Sequence, residues 1–466
     1  MNINPTSSDA YRLLHEGTLA LARAEQQGIR IDINYVEEQR DKLTQKIDHL
    51  ERDFKNTKLY YHWRHSIGNK EPNIYSNHQL AHFLYKVKKL TPPTNTFSGQ
   101  GSTDEEALKA LDIPELVELI RIRKLKKVRD TYLESFVKEQ THGVIHPIFN
   151  LHLVRTFRSS SDRPNFQNIP KRDKESKVIC RKALFPREGH QFLEVDFGSL
   201  EVRISACYHK DPQMLQYITD PTTDMHADMG TQLYLLDKLD RSIPEHKYLR
   251  DATKNSFVFP QFYGDYYKNC AHNLVIRWGK LSEGRWKPGQ GVPMPNGIHL
   301  ADHFISKGIR HYEKYVEYVR QIEDDFWNNR FFKYSQWKER WWRNYLNRGY
   351  VDMLTGFRCS GLMSRNDTIN YPVQGAAFHC LLWSFIELDQ VIRKENWDTR
   401  IVGQIHDSIL LDVNPAELDV VSHTVKHITT EALPKAWPWI IVPLEVEMDL
   451  AEVDHSWADL KKFTFA

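Results

Sequence analysis

Three groupings of charged residues in this chain have the types and spacings needed for chemistry on phosphates or metal ions. The first is Asp196 in FLEVDFGSLEVRISA, residues 192–206, with Glu201 and Arg203 following it. Phe192 to Val195 reads as a buried strand, and Leu200, Ile204 and Cys207 fall at helical spacing, so Asp196 sits where a strand hands over to a helix. A carboxylate at such a rim is within reach of a ligand or metal. The second is Asp407 in IVGQIHDSILLDV, residues 401–413, where two apolar runs flank His406, Asp407 and Ser408 and predict a hairpin with Asp407 at its turn. Two carboxylates on adjacent strand ends can hold a pair of divalent cations. The third is Arg250 and Lys254, at i and i+4 on one predicted helical face, a spacing that grips consecutive phosphates. Read singly, each has a plainer use. An Asp before a helix is more often its N-cap than a catalyst, Asp407 alone fits an ordinary surface hairpin, and Glu245 offers a helical partner to one of the cations.

The elements that must position these groups follow from composition and periodicity. At about 150 residues per domain, 466 residues make about three modules. With 41% hydrophobic, 27% charged and 12% aromatic residues, the chain can build a sizeable core and is not disordered. A net charge of +2 hides basic runs at Lys86 to Lys89, Arg121 to Lys127 and Lys171 to Lys182, which permit nucleic acid as a partner. Cys180, Cys207, Cys270, Cys359 and Cys380 have no CxxC spacing, which points to a reducing compartment without structural zinc. No apolar run approaches ~18 residues and no basic-then-apolar leader is present, so neither a membrane span nor a secretion signal is expected.

Tyr11 to Phe54 reads as two helices broken at IRID, with Leu14, Leu21 and Ala22 on one face of the first. Asn56 to Asn77, polar and aromatic, reads as a loop. Ile120 to Phe136 reads as a helix whose cations are solvated on composition alone. Short strands follow from Val144, then helices from Asp211 to Tyr350, then strands again. Within the helical stretch, Gly284 to Gly297 is dense in Gly and Pro and reads as a loop or partly ordered lobe. Trp337, Trp341 and Trp342 read as helix packing.

Three stretches in this order resemble the motifs of a family A DNA polymerase, similar to the polymerase part of bacterial DNA polymerase I. Asp196-Phe-Gly-Ser-Leu-Glu201-Val-Arg203 resembles motif A, DYSQIELR. RDATKNSFVFPQFYG, Arg250 to Gly264, resembles motif B, and Ile405-His406-Asp407-Ser408 resembles motif C, VHDE. VRTFRSSSDRPNFQNIP, Asp224-Met-His226, YVDMLTGFR, INYPVQGAAFH and VPLEVEMDL resemble flanking family segments. Two departures stand out. The motif B aromatic, Phe259, comes five residues after Lys254 where the family has four, and Pro260 follows it, which predicts a kink or bulge and leaves Phe257 as a rival base platform. In motif C, Ser408 replaces the family glutamate, a change expected to tune activity without abolishing it.

The resemblance implies an α+β right-hand fold with an antiparallel-sheet palm, helical fingers and a helical thumb. The expected boundaries are an N-terminal remnant at 1–28, thumb 29–143, palm 144–210 and 350–466, and fingers 211–349 with an insertion at 268–312. It implies addition of dNTPs to a primer 3′-hydroxyl by two-metal nucleotidyl transfer, with Mg2+, or Mn2+ in its place, held by Asp196, Asp407 and the Phe197 carbonyl. Glu201, His226, Arg250, Lys254, Phe259 and Tyr263 are the implied nucleotide-binding residues, with Lys254 also a proton donor. Arg158, Asn370, Gln374 and His406 are the implied primer/template-binding residues, and no role passes to Arg365. Implied partners are primer-template DNA and dNTPs, with no membrane. The chain is expected to be a monomer in the cytoplasm of a bacterium or phage-infected host. Too few residues precede Tyr11 to supply a proofreading exonuclease, so none is expected in this chain. A single-subunit RNA polymerase and a catalytically dead DNA-binding clamp are the competing readings.

Overall fold

The near-continuous apolar runs around Asp196 and Asp407 form buried strands of one sheet. The computed structural model describes residues 5–96, 99–171, 173–278 and 284–464. Strands β1 (Gln191–Phe197), β2 (Arg400–Ile405), β3 (Ser408–Val413), β4 (Val446–Leu450) and β5 (Lys461–Phe463) form a five-stranded antiparallel sheet in the order β5-β4-β1-β3-β2. Register places Asp196 opposite Ser408 on β3 and opposite Glu447 on β4. The architecture is α+β, as the sequence predicts.

By contact the chain divides into two units. One comprises Met1–Gln45, Leu125–Thr219 and Lys333–Ala466, the other Lys46–Lys124 and Asp220–Phe332. These cuts fall inside the segment expected as thumb, and beside the ends expected for the fingers.

In the sheet unit, helix α1 (Ser7–Gln27) packs on the long helix α5 (Arg365–Lys394). The approach is so close that a Cβ on Gly17 would lie 2.9 Å from the Leu382 methyls and push that side chain aside. Arg23 and Asp389 fasten the same pair of helices at 2.6 Å. The buried face of α1 is Leu13, Gly17, Leu21 and Ala24, not the expected Leu14–Leu21–Ala22 face, because Ala22 points to solvent. Helix α2 (Leu200–His209) also packs on α5 and buries Leu200, Ile204 and Cys207 as expected.

The helical unit contains α3 (Met225–Leu233) and α4 (Pro244–Thr253). Its aromatic core joins Tyr234, Trp278, Trp286, Phe304 and Tyr315. The expected insertion is therefore a packed lobe with Trp286 and Met294 buried; its residues 279–283 lie outside those described. Asn56–Asn77, expected as a loop, contains a helix at Lys58–Ser66. Thr57 caps it, and Leu59, Tyr60 and Trp63 are buried, three apolar anchors that the surrounding His and Arg residues masked. Arg123 bonds the Ile74 carbonyl, and Lys124, Lys126 and Arg129 pair with carboxylates, so most of the Arg121–Lys127 cations serve the protein itself; Arg121 and Lys127 are exposed. None of the helices among the described residues is long and apolar enough to cross a membrane.

Candidate active site

Strand pairing brings the first two charged groups together. Asp196 is next to last in β1, and Asp407 lies in the two-residue turn between β2 and β3. The Phe197 N–H donates to the Asp407 carbonyl at 3.1 Å, tying the strand end to the turn. His406 takes the left-handed conformation, φ 51°, that so tight a turn demands. Gln404, buried in β2, donates to the His406 carbonyl at 2.6 Å and accepts from Ser159 and Gln167, so three segments hold the turn.

Like charges crowd this corner. The Asp407 side chain is 36% exposed, and its carboxyl is pushed up to about 6 by burial and by the charges of Glu201 and Asp196, against the pull of Arg158 and Lys171. Arg158 donates to Glu201 at 2.9 Å and lies 4.0 Å from Asp407, while Lys171 bonds Asp196 at 3.2 Å. Arg203, nearly buried, donates to the Gly198 and Pro443 carbonyls and pairs with Glu445 at 2.6 Å, so it fixes the turn from β1 into α2. Asn370 and Gln374, half-buried, share one face of α5, and His406 is exposed. Arg365 pairs with Glu339.

A hard, all-oxygen, clustered donor set suits Mg2+ or Mn2+. Among the described residues no group of three or more His, Cys, Asp or Glu side chains is placed to hold a metal alone. That fits Mg2+, which commonly takes one or two carboxylates and completes its shell with water and substrate phosphate. Lys171 and Arg158 supply positive charge to the same carboxylates in this structure.

The helical unit carries the cationic group. Asp224 caps α3 by accepting from the His226 and Ala227 N–H groups, and its second oxygen takes Arg250 at 2.7 Å and Arg241 at 2.8 Å. Burial raises the Asp224 carboxyl, but the bond to Arg250, the Ala227 N–H and both guanidinium charges outweigh it and lower its pKa. After α4 the helix continues through a π-helical turn, Lys254–Val258, into Phe259–Tyr263. The Phe259 N–H reaches back five residues to the Lys254 carbonyl. One extra residue relative to the motif is absorbed in this way, as wide turns do at functional sites, and Lys254 Nζ sits 5.2 Å from the Phe259 ring centroid. Phe259 is half-buried, whereas the rival Phe257 is fully buried against Phe326. The His226 ring meets Phe259 edge-on at 5.6 Å, its Nδ1 has no hydrogen-bond partner, and burial together with Arg250 and Lys254 pushes its pKa down to about 4. Tyr263 is exposed, and Gly264, φ 93°, ends the helix in a left-handed cap.

Sequence reasoning passed over Lys171, Gln404, Arg241 and the clamp made by Asp224. A polar Gln in an otherwise apolar strand and an Asp at a helix start are signals that could have found two of them. The other two are long side chains reaching from loops, and leave no periodic trace.

The sequence pattern of DNA polymerase family A matches residues 33–459. The chain belongs to DNA polymerase family A. It is 28% identical over 437 residues to DNA polymerase I of Aquifex aeolicus, covering 93% of this chain and 65% of that protein. To DNA polymerase I of Lactococcus lactis it is 25% identical over 433 residues, covering 92% of this chain and 43% of that one. The chain thus spans under two thirds of these relatives. Among solved structures, the POL domain of Pol1 from M. smegmatis, in complex with DNA primer-template and dNTP, superposes with a TM-score of 0.70 at 23% identity, over 95% of this chain and 70% of that one. The two share a fold.

Proposed function

We propose that this chain is a template-directed DNA polymerase that joins dNTPs to a primer 3′-hydroxyl. The observation that carries this reading is the convergence of Asp196 and Asp407 on neighbouring strand ends, where burial first, and the charges of Glu201 and Asp196 second, push the Asp407 carboxyl up to about 6. Asp196, Asp407 and the Phe197 carbonyl would hold two Mg2+ ions, or Mn2+. Such ions, when bound, lower the pKa of the attacking hydroxyl and neutralise the triphosphate and leaving pyrophosphate. The hydroxyl oxygen bonds the α-phosphorus in line as the bond to pyrophosphate breaks.

The rest is the work of side chains. Arg250 and Lys254 bind phosphates at helical spacing, and the Lys254 ammonium gives a proton to the departing oxygen. His226, neutral at pH 7, has its Nδ1 available for a phosphate proton or oxygen. Phe259 offers its ring to the incoming base and Tyr263 closes the helix end beside it. Glu201 excludes a ribose 2′-hydroxyl. Arg158 exchanges its bond to Glu201 for the minor-groove acceptors of the primer terminus, which are nearly alike for all correct pairs; Asn370, Gln374 and His406 serve the same terminal pair. In this reading 144–210 and 350–466 are the palm, 211–349 the fingers and 29–143 the thumb.

The test is extension of a labelled DNA primer with dNTPs or rNTPs and Mg2+. The wild type should extend with dNTPs and poorly with rNTPs, and Glu201→Ala should lose dNTP incorporation and sugar discrimination together. Equal use of rNTPs would favour an RNA polymerase, and no extension by the folded chain would favour a DNA-binding clamp.

A further inference from the structure

Two residues before Asp196 on β1, and on the same face of the strand, lies a second carboxylate that the proposed chemistry does not use. Glu194 is 6% exposed. Its Oε2 accepts from Trp457 Nε1 at 2.9 Å and meets Arg181 at 3.5 Å, and the Arg181 guanidinium lies 3.7 Å from the Trp457 ring centroid. Its Oε1 lies 3.2 Å from the hydroxyl of Ser408, which also lies 3.0 Å from the Ile405 carbonyl, so one proton serves a three-centre bond. Ser408 stands directly opposite Asp196 and directly after Asp407. The bond therefore links the residue beside one site carboxylate to the residue two before the other.

A plain structural role, a charge pair holding Trp457 in place, explains this poorly. Arg181 leaves Nε and Nη2 without hydrogen-bond partners, and its one contact with Glu194 is long. A buried pair kept for stability alone is replaceable by apolar residues of similar volume. Ser408 is also the position at which the chain departs from the motif C pattern, which has a glutamate there. The carboxylate missing from β3 is found across the strand pair, on β1, in contact with the side chain that replaced it.

We propose that Glu194 is a positioning residue for the Asp196–Asp407 pair, acting through the Ser408 hydroxyl as a carboxylate transposed from β3 to β1. The inference rests on the polymerase reading of the site. By fixing the first residue of β3 against β1, the bond sets how the turn presents Asp407 beside Asp196. Partners that orient metal-holding groups typically change metal affinity or activity ~10–100-fold when removed.

The test compares wild type, Ser408→Ala, Glu194→Gln, Ser408→Glu and the exchange Glu194→Ser/Ser408→Glu. Mn2+ affinity is measured by titration calorimetry with primer-template and a non-incorporable dNTP, alongside kcat, dNTP KM, primer-template Kd and Tm. Ser408→Ala, which keeps the Arg181 contact and the fold, should weaken Mn2+ binding about tenfold and lower kcat while KM and Kd stay within about twofold. Glu194→Gln should do the same. Ser408→Glu alone, which sets two carboxylates in contact, should weaken Mn2+ binding at least as much. The exchange should return Mn2+ affinity to within about threefold of wild type. Mn2+ affinity unchanged in Ser408→Ala, or an exchange that binds Mn2+ no better than Ser408→Glu alone, would overturn the inference while leaving the polymerase reading intact. A wild type that neither binds Mn2+ in this complex nor extends primers overturns both.

Discussion

The two charged sites are assembled by opposite means. In the sheet unit the carboxylates come from far apart in the chain and meet through strand register, and long side chains from loops, Arg158 and Lys171, lie against them. In the helical unit Arg250 and Lys254 come from one stretch of helix; Asp224 holds Arg250 together with Arg241, and Asp251 also pairs with Arg250. The first site is an excess of negative charge fixed in a lattice of backbone hydrogen bonds, which favours binding cations without rearrangement. The second is an excess of positive charge on the side chains of Arg241, Arg250 and Lys254. Geometry should matter most in the sheet site, and charge most in the helical one.

Within the helical unit, Lys254 offers the largest effect by which this contrast can be broken. Lys254→Ala should lower kcat for extension by ~10²–10³, as loss of a charge at a developing anion does, with primer-template affinity nearly unchanged. A loss below tenfold in single-turnover rates would remove Lys254 from the chemistry.

Buried histidines make both units sensitive to acid. His209 and His379 in the sheet unit are pushed down to about 3 by burial, and His226 in the helical unit to about 4. Their folded pKa values lie below the unfolded value of 6.5. The stability they allow is therefore full above pH 6.5 and is lost as pH falls from there toward 3. By pH 5 each fully buried histidine should cost about 2 kcal/mol. His379→Gln should flatten the fall in urea midpoint between pH 7 and 5; an equally steep fall in the variant would show that His379 does not stay neutral.

Arg241 gives the smallest expected effect. Arg241→Ala leaves Asp224 a single guanidinium partner and removes one cation from the phosphate-binding face, so dNTP KM should rise about three- to tenfold with kcat spared, as loss of uniform binding does. A change in kcat with KM constant would place Arg241 in the chemistry instead.

The same contrast governs what the sequence disclosed. The Asp407 hairpin was legible because two apolar runs flank a polar break, and β2 and β3 end where those runs end. That Asp407 comes to lie beside Asp196 was not legible from spacing, since register across a long chain separation has no local signature; it came through the resemblance. In the helical unit the extra residue before Phe259 was visible as a count, yet its absorption by a π turn, in which Phe257 packs against Phe326, had no sequence signature. Glu194 stayed hidden because it lies inside a stretch read only as a buried strand, and its partners Ser408 and Trp457 lie far away in sequence. The Lys58–Ser66 helix was missed because three buried side chains among cations make a weak period.

The central claim is that Asp196 and Asp407 together are the catalytic pair. The most direct test is single-turnover extension of a DNA primer with Mg2+ and dNTP, wild type beside Asp407→Ala, with primer-template affinity measured in parallel. The account predicts template-directed extension by the wild type, lost by ~10³ or more in the variant, with DNA still bound. Extension by Asp407→Ala within tenfold of the wild type would contradict it.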